Sequence, residues 1–281
     1  MRWFLAATVI GMLGCAAPST KPVAPEQPAA VSPELSPALV PLAWWLGDWE
    51  GDVGSEHWNA AAGAIYGVAF ARDGSFEVFT IDDGEGGGPP DGVLRMFAMP
   101  NKAPRGLEFR KRDLGAGSIT FTSDSPAFPN SVAYHRDDGT LTAVISGGGH
   151  SATVTWQRAK STRAPELEAA DLAFSADTGA RGVDGWVAAF DPSGAMMRKG
   201  ERVDGAAIGE TMKGLLSAGK LAWAPIASGR SGELGFTVGK ATYTGATPAD
   251  GWRSTYITIW HHQADGSWKV LFDTGRPVQQ P

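Results

Sequence analysis

Between Pro41 and Arg158 the chain alternates with period two. Leu141, Ala143 and Ile145 alternate with Thr140, Thr142 and Val144; Ala152, Val154 and Trp156 alternate with Ser151, Thr153, Thr155 and Gln157; Ile119 and Phe121 alternate with Thr120 and Thr122. Successive strand side chains point to opposite faces, so this pattern predicts strands with one buried side. Asp73-Gly74, the Gly84 to Gly92 loop, Gly115 to Gly117, Asp138-Gly139 and Gly147 to Gly149 break the runs at hairpin spacing. The expectation is an antiparallel barrel of about eight strands, its interior filled by side chains or holding one small ligand.

The period changes after Ala159. Lys160 to Ala164 is polar, and Pro165 stands where a first helical turn tolerates it. Leu167, Ala170 and Phe174 follow at helical spacing, then Val183, Trp186, Val187 and Phe190, then Ile208, Met212, Leu215 and Leu216. Strands are predicted over 221–223, 234–238, 240–244, 255–261 and 268–272, with Asp265-Gly266 turning between the last two. Helices followed by a curled antiparallel sheet make an α+β domain with helices on one sheet face.

The first residues differ from both halves. Arg2 precedes an apolar run, Trp3 to Leu13, too short to span a bilayer, and Met12-Leu13-Gly14-Cys15 ends it. This resembles a bacterial lipoprotein signal, which implies removal of residues 1–14 and a lipid on Cys15, the chain's only cysteine. Residues 15–41 carry seven prolines from Pro18 to Pro41 among alanine and serine, a composition that extends as polyproline II, so they are expected to be a tether. Ala16 after the cysteine implies, by the same resemblance, the outer membrane, with the protein facing the periplasm. The expected domains are therefore 42–159, the barrel, and 165–281, the α+β unit.

The net charge of −6 argues against nucleic acid, which needs clustered cations. The basic run Arg110-Lys111-Arg112 alternates with Leu107 and Phe109 in a way that suits a solvated strand face. There is no phosphate-binding glycine loop, Gly-x-Ser-x-Gly, His-Glu-x-x-His or Walker motif, and no metal or cofactor is expected.

Two further resemblances attach to particular segments. Leu42-Ala43-Trp44-Trp45-Leu46-Gly47-Asp48-Trp49-Glu50, Glu56-His57-Trp58 and Phe128-Pro129 resemble an uncharacterised lipocalin-like family over residues 42–158. Where that family has histidine and aspartate, this chain has Pro126 and Ala127, so any chemistry done by those residues is lost. Residues 165–275 resemble the nuclear transport factor two-like superfamily, which includes ketosteroid isomerases and SnoaL-like cyclases, through Trp186-Val187-Ala188-Ala189-Phe190, Leu221-Ala222-Trp223-Ala224-Pro225 and Tyr256-Ile257-Thr258-Ile259-Trp260. This implies a cone-shaped fold, but not one activity.

Core packing accounts for most of the chain's 11 tryptophans, and beyond that they point to binding more than catalysis. Trp186, Phe190, Trp223, Tyr256, Trp260 and Trp268 are candidates to line an apolar cavity in the second domain, with Glu56 and Trp58 in the barrel. Asp177 and His262 are the weaker catalytic candidates. Noncatalytic binding of a small apolar or aromatic ligand is the leading expectation. The alternatives are an isomerase- or hydrolase-type enzyme in the second domain, and an assembly module that forms a homodimer through its open sheet. Binding predicts an open tryptophan-lined cavity, catalysis a buried carboxylate with a raised pKa, and assembly a filled cone with an exposed apolar sheet face.

Overall fold

The computed structural model describes residues 34–84, 89–161 and 163–278. The signal segment, Cys15, most of the tether and part of the Gly84 to Gly92 loop lie outside the described residues. Ten strands close the barrel: β1 (Gly47–Gly51), β2 (Gly54–Ala61), β3 (Ala64–Ala71), β4 (Phe76–Asp82), β5 (Arg95–Pro100), β6 (Leu107–Gly115), β7 (Ser118–Thr122), β8 (Ser131–Asp137), β9 (Thr140–Gly147) and β10 (His150–Ala159). Each pairs antiparallel with its neighbour, and β1 pairs with β10. The expected eight becomes ten because β2, β3 and β4 are buried on both faces, which erases the alternation that marks strands elsewhere.

The barrel interior is packed with large side chains. Trp45, Trp49, Trp58, Phe109 and Phe121 are buried there, and the 3-10 turn Val40–Trp45 brings Trp45 within 4.3 Å of Trp58 and 4.2 Å of Tyr134 between ring centres. Packing begins before residue 42: Leu35 and Leu39, four residues apart, bury in the same core. Gly67 stands between Trp58 and Phe79 in register, and a Cβ there would collide with the Trp58 indole. Gly67→Ala is therefore expected to cost about 1–3 kcal/mol of overpacking, read from the urea midpoint; an unchanged midpoint would mean that the ring moves aside freely.

The remainder is a six-stranded sheet carrying three helices: α1 (Pro165–Arg181), α2 (Val183–Ala188), β11 (Phe190–Arg198), β12 (Glu201–Asp204), α3 (Ala207–Ala218), β13 (Lys220–Ser231), β14 (Leu234–Thr244), β15 (Trp252–His262) and β16 (Trp268–Val278). The strand order is β12-β11-β16-β15-β14-β13. The second helix stops at Ala188, short of the expected Phe190, because Pro192 restricts Asp191 to extended backbone and starts β11. The two expected strands 234–238 and 240–244 are one, β14, continuous through Gly239.

The sheet's two faces have different fates. Leu167, Phe174, Trp186, Ile208 and Met212 cover one face together with Trp223, Tyr256 and Trp260. Leu234, Phe236, Val238, Ile257, Ile259 and Phe272 on the other face pack against Tyr66, Val68, Phe70, Phe76 and Val78 of the outer barrel wall. The sheet face expected to receive a second copy thus carries this chain's own barrel. A second seam joins Arg105 and Glu201 by a β-bridge, and Arg202 N–H donates to Pro104 O at 2.8 Å.

Candidate functional site

Between these two seams lies a cleft of about 970 Å³. Tyr66, Phe97 and Met99 face it from the barrel, and Met197, Met212, Leu215 and Trp252 face it from the sheet and α3. Methionine fits irregular apolar ligands because its thioether chain is unbranched and polarisable. Period two places the cleft's polar group: Thr80 and Asp82 share the outward face of β4 with Phe76 and Val78, while Phe79 and Ile81 point into the barrel. Asp82 is 1 % exposed and accepts a 2.7 Å bond from Arg276 Nε of β16. Burial raises the Asp82 pKa, and Arg276, with smaller help from the Gly84 N–H and Arg95, opposes that rise. Tyr66 O–H pairs with Thr255 Oγ1 beside them, again from barrel to sheet.

Arg198, Trp252 and Gly275 are shared with a smaller recess of about 40 Å³ inside the sheet's helical face. Trp186, Trp223 and Tyr256 border it, but their donors have different uses. Trp223 Nε1 and Tyr256 O–H each donate to Asp171 at 2.7 Å, while Trp186 Nε1 is buried with no partner. Trp260 Nε1 donates to Thr237 Oγ1 at 2.9 Å, and Thr237 itself bonds to Asp171. Asp171 is fully enclosed, so burial raises its pKa while three donors hold its charge. Tyr256 can reach it because its ring crosses Gly239, where a Cβ would strike the phenol oxygen. Asp273 also borders the recess, and burial pushes its pKa up to about 6.

The expected cavity residues are thus divided among several places. Trp186, Phe190, Trp223 and Trp260 pack around Phe174, with the Trp186 and Trp223 ring centres 4.9 and 4.7 Å from it. Trp268 packs against the same core and also lies 4.7 Å from the His262 ring and beneath the Arg230 guanidinium. Glu56 and Trp58 point into the barrel, where Glu56 accepts from Trp58 Nε1 at 2.8 Å and Tyr134 O–H at 3.0 Å. Asp177 is exposed and paired with Arg181, which holds its pKa down; His262 pairs with Glu233 at the far end of β15. The two catalytic candidates therefore share no site.

Reading the sequence missed Asp171, Asp273, Asp82, Arg276 and Glu77. A signal for Asp171 was present: it stands four residues after Leu167 and three before Phe174, a carboxylate inside an apolar helical stripe. Glu77 likewise shares its strand face with Phe79 and Ile81; enclosure in the barrel and the nearby Glu56 charge push its pKa up to about 8.

One further polar cluster has the atom order of a nucleophile–base–acid relay. Ser55 Oγ lies 3.0 Å from His57 Nε2, and His57 Nδ1 lies 2.8 Å from Asp48 Oδ1. Ser55 is 3 % exposed, the His57 ring lies against Phe70 and Phe236, and neither cavity reaches them. The arrangement satisfies buried polar groups where the barrel meets the sheet.

No family model and no curated protein matches the chain. Solved structures resemble part of it. A ketosteroid isomerase-like protein from Erwinia carotovora atroseptica is 15 % identical over 41 % of this chain and 96 % of its own, at a TM-score of 0.37. A nuclear transport factor two-like protein of unknown function from Pseudomonas putida is 10 % identical over 41 % and 89 %, at 0.35. A protein of unknown function with a cystatin-like fold from Nostoc punctiforme is 10 % identical over 40 % and 89 %, also at 0.35. The neighbours of this structure therefore include ketosteroid isomerase-like and nuclear transport factor two-like proteins.

Proposed function

We propose that this is a lipid-anchored envelope protein that binds a small, largely apolar ligand without transforming it. In this reading Cys15 carries the lipid, the proline-rich stretch expected over residues 15–41 supplies the tether, and the protein faces the periplasm from the outer membrane. A lipocalin-like barrel and a nuclear transport factor two-like cone act as two domains that build one site between them. The observation that carries the binding reading is the cleft of about 970 Å³, which falls within the range of small-molecule sites and has mainly apolar walls with a few polar groups. The ligand site thus moves from the cone interior, where about 40 Å³ is left, to the junction of barrel and sheet.

Native mass spectrometry of the secreted chain without its lipid tests this reading. The protein should carry a small molecule that denaturation releases. Thr211→Trp, an exposed α3 position on the cleft wall, should lower its occupancy about ten-fold or more at equal folded fraction. A clean apo mass, together with failure of added decanol to bind, would sink the proposal.

Asp273 supports a second reading, catalysis on a small molecule, since a carboxylate near pKa 6 beside a recess suits general-base work. Turnover of a ligand recovered from the protein, abolished in Asp273→Asn with binding intact, would establish that reading in place of the first.

A further inference from the structure

We propose that the cleft selects an apolar molecule ending in a neutral hydroxyl or primary amide, and that this end docks on the Asp82–Arg276 pair. The inference rests on the cleft being the ligand site. Asp82 Oδ2 is taken by Arg276 Nε and the Gly84 N–H also acts on the carboxylate, yet Asp82 Oδ1 is buried with no hydrogen bond of normal geometry. A buried carboxylate oxygen without a donor is rare and costly, because water no longer satisfies it. The neighbouring hydroxyl of Tyr66 is engaged with Thr255. A ligand hydroxyl or amide N–H reaching the pair supplies the missing donor, and its oxygen faces the Arg276 guanidinium.

Charge narrows the class further. Asp82 and Arg276 neutralise each other, so an ammonium end meets Arg276 and a carboxylate end meets Asp82, each as a like charge. Arg95 adds a weaker positive charge beside Asp82. Of the other charged wall residues, Glu108 lies 2.9 Å from Arg110, Arg198 acts on Asp273 of the neighbouring recess, and Lys199 is exposed. The pair also joins β4 of the barrel to β16 of the sheet, so a ligand seated on it contacts both halves at once.

Calorimetric titration of the whole secreted chain with decanol, decanamide, decyl methyl ether, decanoate and decylamine tests the proposal. Decanol and decanamide should bind at least about ten-fold more tightly than the ether, which offers no donor, and more tightly than either charged compound. Asp82→Asn should narrow the gap between alcohol and ether. If that variant fails to fold, the wild-type ratio alone decides. Equal affinity for alcohol and ether overturns the head-group assignment and leaves the cleft-binding reading standing. Tightest binding of decanoate overturns it in favour of an anion held by Lys199. Binding of none of the five removes both this proposal and the reading beneath it.

Discussion

Asp171→Ala is expected to lower folding stability by about 3–5 kcal/mol, the effect of breaking a buried charged network, as measured by urea unfolding of the secreted chain. The alanine leaves Trp223 Nε1 and Tyr256 O–H without their acceptor in a buried core, and releases Thr237, which relays the bond from Trp260. Asp171 links α1 to the sheet beside the bonds of Ser175 to Trp223 N–H and of Glu168 to Ser228, so its loss should loosen the helical face. Tyr256→Phe removes only one donor and should cost about 0.5–1.5 kcal/mol. If Asp171→Ala cost no more than Tyr256→Phe, the carboxylate would be dispensable and the aromatic packing around Phe174 would be enough to hold the helices.

The second large effect concerns pH. Glu56 is pushed up to about 7 and Glu77 to about 8, in both cases chiefly by burial inside the barrel, with the Glu56 charge adding to Glu77. Across β2, β3 and β4 the two residues stand opposite Ala69, so they share one level of the interior. In the unfolded chain each would lose its proton near 4.5. Between about pH 4.5 and 8 the folded state therefore holds protons that the unfolded state has released, and stability falls as pH rises. Below that window the contribution is fully present. The maximal slope is about 1.4 kcal/mol per pH unit for each group, and Asp273 adds the same sign up to about pH 6. Asp191, held far below its usual value, contributes with the opposite sign, but only at strongly acid pH.

Glu77→Gln removes one of these titrations. It should stabilise the protein at pH 8 by up to about 4 kcal/mol and leave pH 4.5 nearly unchanged, so the two curves diverge upward in pH. Urea midpoints at pH 4.5, 6 and 8 read this directly. A wild-type stability that stays flat or rises over that range would mean that the glutamates ionise freely, through water entering the barrel mouth.

Strands with one face toward water, such as β9 and β10, are legible in the residues alone, because alternation survives where only one face is buried. The helices α1 and α3 are legible in the same way, through apolar residues at helical spacing. The doubly buried strands β2 to β4 are much less so, since a strand covered on both sides shows no period. Burial of the tryptophans can be read from their type, but the use of each indole cannot: whether it lines a cavity or donates to Asp171 depends on a partner 52 residues away in the chain. The cleft and its polar end emerge only once the whole chain is folded. Asp82 and Arg276 are 194 residues apart, and nothing local marks either one. Pattern reports which face of an element avoids water, whereas a site between two elements depends on how their buried faces meet, and that is set by packing over the whole chain.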